Sequence, residues 1–294
     1  MQTYLELIKA AYTNYWHYLK QSVLMQLAWE NYFYGLLIIS VFVWGLEAVF
    51  PWRKQQSLFR KDFWLDIFYM FFNFFLLNLL VLIALSNATA LLFEDFLGLL
   101  GLSTFSFQLI EINSLPIFAR IFTFFVVVDF TQWCTHRLIH RVPFLWNFHK
   151  VHHSAKQMGF AAHLRYHWME PVLYNSLRYI PLAIIGGFSA QDVALVHFFN
   201  ITIGHLNHAN IHLDYGWLKY VLNNPKMHIW HHSKVLPTER KNGVNFGLTL
   251  STWDYLFKTN YIPFSGRDIE IGFEGDENFP KGFIQQELYP FAKK

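Results

Sequence analysis

"PIFARIFTFFVVVDF" (116–130) runs without a break into "TQWCTHRLIHR" (131–141), and the reading of this junction decides the fold. The first stretch is apolar enough to enter a bilayer, and helical periodicity carries on to His140. On such a helix His136 and His140 share a face, as residues four apart do. Asp129 sits two turns before His136 on that face, and a charge inside a span is costly and usually functional. The junction therefore predicts a membrane helix that delivers a pair of imidazoles at its polar end.

The composition agrees. Of 294 residues, 54% are hydrophobic and 15% are charged, against roughly 25% charged in soluble domains. A net charge of +3 carries no nucleic-acid signal. The single cysteine, Cys134, excludes an internal disulfide, a cysteine-rich zinc site and an all-cysteine iron–sulfur cluster.

Working outward, Tyr4, Leu5, Ile8, Tyr12, Tyr15, Trp16 and Leu19 recur at helical spacing. They predict a helix lying in the membrane interface or packed on the rest of the protein, and the stretch lacks the basic start and short apolar core expected of a signal peptide. "YFYGLLIISVFVWGLEAVF" (32–50) and "FWLDIFYMFFNFFLLNLLVLIALS" (63–86) are long enough to span ~30 Å of hydrocarbon. Region 171–212 reads as a helical hairpin with Pro181, Gly186 and Gly187 near its turn, and Ser189-x-x-Asp192 resembles a capping box opening the second arm. The expected fold is all-α, an integral membrane protein with about four transmembrane helices and a cytoplasmic histidine-rich helical cap. Loop 51–62 carries Arg53, Lys54, Arg60 and Lys61, whereas 87–115 has no Lys or Arg. The positive-inside rule then puts 51–62, and all the clustered histidines, on the cytoplasmic side of a multi-pass protein. Three parts are expected: 1–115 with the interfacial helix and first spans, 116–260 as the catalytic domain, and 261–294 as a cytoplasmic tail.

Fourteen of the fifteen histidines lie between His136 and His232. "THRLIHR" supplies His136 and His140; "FHKVHHS" supplies His149, His152 and His153; "NHANIHL" supplies His208 and His212; "MHIWHHS" supplies His228, His231 and His232. Helical spacing turns the imidazoles of each motif toward one side. A structural zinc needs four ligands, so ten imidazoles suggest two metals with about five each. Adjacent His152–His153 and His231–His232 point about 100° apart on a helix, so each triplet can reach both metals. His163, His167, His197 and His205 are expected to orient ligands or line a pocket, with His197 in a tunnel wall. Glu170 is a candidate to orient a ligand imidazole, and Asp129 to do the same or to face the tunnel. Imidazole suits iron, copper, nickel and zinc. A lipid chain offers many C–H bonds and few hydrolysable ones, which favours oxygen chemistry over hydrolysis. The competing readings are a dinuclear zinc lipid hydrolase, a His-rich membrane metal transporter, and a pH-sensing or proton-relay cluster.

These motifs resemble the fatty acid hydroxylase / sterol desaturase superfamily of integral-membrane enzymes. The likeness extends beyond the histidines to "DFTQWCTHRLIHRVPFLWNFHKVHHS" (129–154), "LRYHWME" (164–170) and "NFGLTLSTWDYLFKT" (245–259), covering roughly 116–260. Trp168 stands where the family has Pro, and Lys258 where it has Gly. The resemblance implies a nonhaem di-iron oxygenase on a helical membrane scaffold, with the ten motif histidines as ligands to two iron ions. It further implies that a lipid is hydroxylated or desaturated with dioxygen as co-substrate and two electrons. No haem, flavin or dinucleotide module is evident. An external donor is therefore expected, a cytochrome-b-type or ferredoxin-type protein with its reductase, docking near Arg137, Arg141, Lys150 and Lys156.

Overall fold

The computed structural model describes residues 4–25, 31–77, 91–92, 95–101 and 109–292. The described chain is mostly helical: α1 (Tyr4–Lys20), α2 (Tyr32–Val49), α3 (Phe63–Phe71), α4 (Ile117–Arg141), α5 (Pro143–His153), α6 (Met169–Ile184), α7 (Ala190–His208), α8 (Pro225–His231), α9 (Thr252–Leu256) and α10 (Phe283–Leu288). α3 continues as a π-helical segment, Phe72–Leu76. The rest of the expected 63–86 span, from residue 78 on, lies outside the described residues. One element type was not foreseen, a two-residue parallel pair of β1 (Ile110–Glu111) with β2 (Ile185–Gly186).

The junction that opened the sequence reading is one helix. α4 has 25 residues, about 37 Å at 1.5 Å per residue. It stops at Val142 because Pro143 follows. A residue before proline is pushed out of the α region, and Val142 is extended at φ −94°, ψ 112°. Proline is well suited to open a helix, and Pro143 is at the start of α5. The chain therefore folds back at once, and the imidazoles at the end of α4 face those of α5.

α6 and α7 form the expected hairpin. Ser189 accepts from the Asp192 amide, and Asp192 accepts from the Ser189 amide, a complete capping box. Asp192 also accepts two hydrogen bonds from Arg120 at 2.6 and 3.1 Å, tying the start of α7 to the start of α4. Gly187, at φ +91°, closes the turn; a Cβ there would meet Glu111 Oε1 at 2.1 Å.

α2 and α4 are the described helices long and apolar enough to cross a membrane. Their outer faces carry Ile38, Val41 and Phe42, and Ile117, Phe118 and Phe122; Phe118 is 84% exposed. A core helix of a soluble protein would bury such side chains, whereas lipid would cover them.

Polar groups hold the inner ends of the helices together. Glu47, buried near the end of α2, accepts from the Phe160 amide at 2.9 Å and the Asn210 amide at 2.8 Å. Buried Arg165 bonds to Asp66 of α3 at 2.9 Å and to Ser154 at 2.8 Å. The segment expected as a tail is packed in place. Gln286 accepts from the Tyr69 hydroxyl at 3.0 Å, and Phe283 rests edge-on against Tyr69.

Candidate metal centre

Each histidine-bearing piece has a local reason for its placement. α4 and α5 meet through the Pro143 corner. α8 begins at Asn224, whose side chain accepts from the Met227 amide, with Pro225 next to it. That short helix carries His228 and His231, and His232 is its C-cap. α7 brings His208 as its last residue.

Two groups of four imidazoles result. His136, His140, His149 and His231 form one; His152, His208, His228 and His232 form the other. In each, four ligand nitrogens lie within 4.8 Å of one another. His153 lies between the groups. Its Nε2 is 3.2 Å from His231 Nε2, and its ring stacks on His232 at 4.4 Å. Both triplets therefore serve both groups.

His212 is not brought in. α7 ends at His208, so the x3 spacing no longer puts the two residues on one face. Asn210 and Ile211 instead run against the 51–53 segment: the Trp52 amide donates to Asn210 O, and Ile211 bridges Pro51. His212 ends up exposed, 5.5 Å from the Trp52 ring. The imidazole found beside the second group is that of His163, 5.2 Å from His208 between ring centres. Gly204 makes room for it, since a Cβ there would meet the His163 ring at 2.2 Å.

The outer nitrogens of the rings are held. His136 Nδ1 donates to Phe246 O at 2.8 Å, and His231 Nδ1 to Val244 O at 2.8 Å. His152 Nδ1 donates to Arg165 O at 3.0 Å, and His208 Nδ1 to Gly204 O at 2.8 Å. His149 Nδ1 donates to Glu170 Oε2 at 2.9 Å. A carbonyl cannot donate, so His136, His231, His152 and His208 carry their proton on Nδ1 and present a bare Nε2 inward, and His149 does the same against the Glu170 carboxylate in its ionised form. Such partners characteristically fix metal-ligating histidines. Two of the resulting contacts join bare nitrogens: His136 Nε2 to His149 Nε2, and His152 Nε2 to His208 Nε2, both at 3.2 Å. Two lone pairs cannot hydrogen-bond each other. Metal–imidazole bonds of about 2.0–2.1 Å put neighbouring donors roughly 3.0–3.4 Å apart, so the spacing fits a cation between them. His140 Nε2 and His232 Nδ1 are buried with no hydrogen-bond partner among the described residues. Burial first, then repulsion from neighbouring imidazoles, holds His149, His153, His231 and His232 well below the usual imidazole range. Neutral rings are the form that binds metal.

The remaining expected residues fall in distinct places. Glu170 orients His149, as above. Asp129 reaches neither an imidazole nor the cavity: it accepts from the Leu250 amide at 3.3 Å and from Trp253 Nε1 at 2.8 Å. His205 is buried between Ser40 and His163, at 3.1 and 2.9 Å. His167 accepts from the Met169 amide and donates to Glu287 O, away from both groups. His197 lies in the wall of a cavity of about 490 Å³ that also reaches His136, His149, His152 and His208. Both imidazole groups thus open onto one space.

Sequence reasoning missed the residues that shape the loop behind the site. Buried Asp254 accepts from the Phe246 amide at 2.9 Å, the Gly247 amide at 2.7 Å and Trp133 Nε1 at 3.1 Å. Asn245, at φ +52°, donates to Met227 O and Tyr261 O. Together they aim the carbonyls of Phe246 and Val244 at His136 and His231. The available signal was a carboxylate inside the aromatic run "TWDYLF" (252–257).

Residues 121–259 match the family model for fatty acid hydroxylase. The chain is 33% identical over 170 residues to an ornithine lipid hydroxylase from Rhizobium tropici, covering 58% of this chain and 49% of the relative. It is 31% identical over 137 residues to alkylglycerol monooxygenase from Homo sapiens, covering 46% and 29%. A very-long-chain aldehyde decarbonylase from Oryza sativa subsp. indica is 25% identical over 142 residues, covering 45% and 22%. The chain thus spans about half, or less, of the length of these relatives. No solved structure matches it.

Proposed function

We propose, for a chain that belongs to the fatty acid hydroxylase superfamily through residues 121–259, that it is a membrane-bound di-iron oxygenase that hydroxylates a C–H bond of a lipid. The observation that carries this reading is the pair of facing bare nitrogens, one in each imidazole group, both opening on one cavity. His136, His140, His149 and His231 would hold one ion, and His152, His208, His228 and His232 the other. His153 lies within reach of both. Iron in such a site supplies the activation of dioxygen and the power to oxidise an unactivated C–H bond.

The chain's own residues do the rest. Phe246, Val244, Arg165 and Gly204 carbonyls and the Glu170 carboxylate fix which nitrogen each ring offers. Leu164, Ile201, Phe74 and Leu248 line the cavity and exclude water from an apolar chain lying against the imidazoles. One oxygen atom would enter the C–H bond and the other leave as water, which consumes two electrons and two protons. The electrons would come from a separate donor on the face bearing exposed Arg141 and half-buried Arg137, whose guanidinium lies over the Trp133 ring. Lys156 contributes less charge there, because it pairs with Asp276.

The test is a lipid comparison of cells with and without the gene, together with the purified, iron-loaded protein. A lipid heavier by one oxygen atom should appear only when dioxygen and a reductant are present. His152→Ala and His231→Ala should each abolish it. Product formed without dioxygen would replace this reading with a dinuclear zinc hydrolase.

A further inference from the structure

The cavity below the imidazoles has a second chemical feature. Arg178 of α6 lines it, with Tyr174, Asn175, His197 and Asn200. A guanidinium lining a largely apolar cavity is expensive unless it has a partner. Here its side-chain partner is neutral, the Asn175 amide oxygen at 2.6 Å. None of the described carboxylates pairs with it. Glu170, the one acid in the cavity lining, is committed to His149. Asn200 is a neutral amide, and its oxygen accepts from Thr249 at 2.9 Å. Among the described residues the two buried cations, Arg60 and Arg165, are both paired with Asp66, and half-buried Arg120 is paired with Asp192.

Position adds to chemistry. Arg178 follows Glu170 by eight residues on α6, about 12 Å along the axis at 1.5 Å per residue. Asn200 precedes His208 by the same eight residues on α7. On both arms of the hairpin the backbone of this polar level is therefore about 12 Å along the axis from the residue that meets the imidazole groups, Glu170 on one arm and His208 on the other. Asn175 is exposed, which puts this end of the cavity at the protein surface.

Resting on the reading of this cavity as the lipid site, we infer that Arg178 binds an anionic oxygen headgroup, a carboxylate or phosphate, of the lipid that lies against the imidazoles. A planar guanidinium fits either group with two parallel hydrogen bonds. The separation presents to the imidazoles a carbon well down the chain rather than one beside the headgroup.

The test is binding, measured on the purified full chain in detergent by scintillation proximity. The probes share one chain and differ in headgroup: tritiated hexadecanoate, hexadecyl phosphate and hexadecanol. Wild type should bind at least one anionic probe roughly tenfold or more tightly than the alcohol, the usual advantage of a hydrogen-bonded charge. Whichever anion binds more tightly identifies the headgroup. Arg178→Gln should bring the anion and the alcohol to similar affinities, and Arg178→Lys should restore part of the preference. Equal binding of all three probes by wild type overturns the inference even if the Gln variant fails to fold. So does a preference that survives Arg178→Gln. Neither oxygen nor turnover enters the measurement, so its failure and a failure of the hydroxylase reading are told apart.

Discussion

If the two imidazole groups each hold a metal ion as proposed, removing the imidazole of His208 should cost the protein one of the two ions, while removing that of His212 should not. His208 Nε2 faces bare His152 Nε2 at 3.2 Å and lies 3.0 Å from His228 Nε2. His212 is exposed beside Trp52, and surface substitutions of that kind usually stay within about 0.5 kcal/mol. After reconstitution with iron, His208→Ala should hold close to one ion per chain by elemental analysis. His212→Ala should hold two, with its stability within about 0.5 kcal/mol of wild type and its activity retained. A loss of one ion in His212→Ala would mean that the 209–212 segment rearranges when metal binds.

At the scale of elements, the docking of α10 should depend on pH in a way that one substitution removes. Burial pushes the Glu287 carboxyl up to about 7, from about 4.3 for a free glutamate. Its folded value lies above its unfolded one. Its stabilising contribution is therefore complete below the free value and is lost as pH rises through about 7. His167, which bonds to Glu287 O, is held down to about 4 by burial; its cost appears as pH falls below about 6.5. The two slopes oppose each other over the acidic range, so wild type alone would be uninformative. Comparison with Glu287→Gln isolates the carboxyl. Amide-exchange protection of 283–288 should match between the two near pH 4. By pH 8 the Gln variant should be ahead, on the order of tenfold or more, since one pKa unit is about 1.4 kcal/mol. A gap that stays constant with pH would show that Glu287 titrates normally. This coupling illustrates what was hard to read in the sequence. The run of α4 to His140 was legible because its periodicity is local, and so was the α7 start, because Ser189 and Asp192 are three residues apart; the Pro143 corner that folds α5 back was not read. The end of α7 was not, because it depends on Glu47, 163 residues away from Asn210. Asp254 and Asn245 were hidden for the same reason: their effect on His136 and His231 passes through carbonyls that any residue type would supply.

At the scale of the molecule, the arrangement makes sense only if one end of the bundle is wet. α4 exposes Phe118 and Phe122 along its first half and buries His136 near its last turn. α2 likewise exposes Ile38, Val41 and Phe42, then ends at Glu47 and the 51–53 segment beside the histidine-bearing pieces. The apolar halves and the imidazole end therefore lie at different depths, and both imidazole groups sit where polar loops close over them. Loop 51–62 lies at that end and carries four basic residues, whereas 87–115 carries none. On the reading proposed above, orientation by the positive-inside rule would send the imidazole end to the cytoplasm, within reach of a separate electron donor there. Single cysteines introduced at Lys54 and at Asn113, in a chain whose Cys134 has been replaced by Ser, should separate the two faces. In intact cells a membrane-impermeant maleimide should label the cysteine at Asn113 and spare that at Lys54, and lysis should make both reactive. Labelling of the Lys54 position in intact cells would invert the topology and place the imidazoles, and the proposed donor, on the opposite side of the membrane.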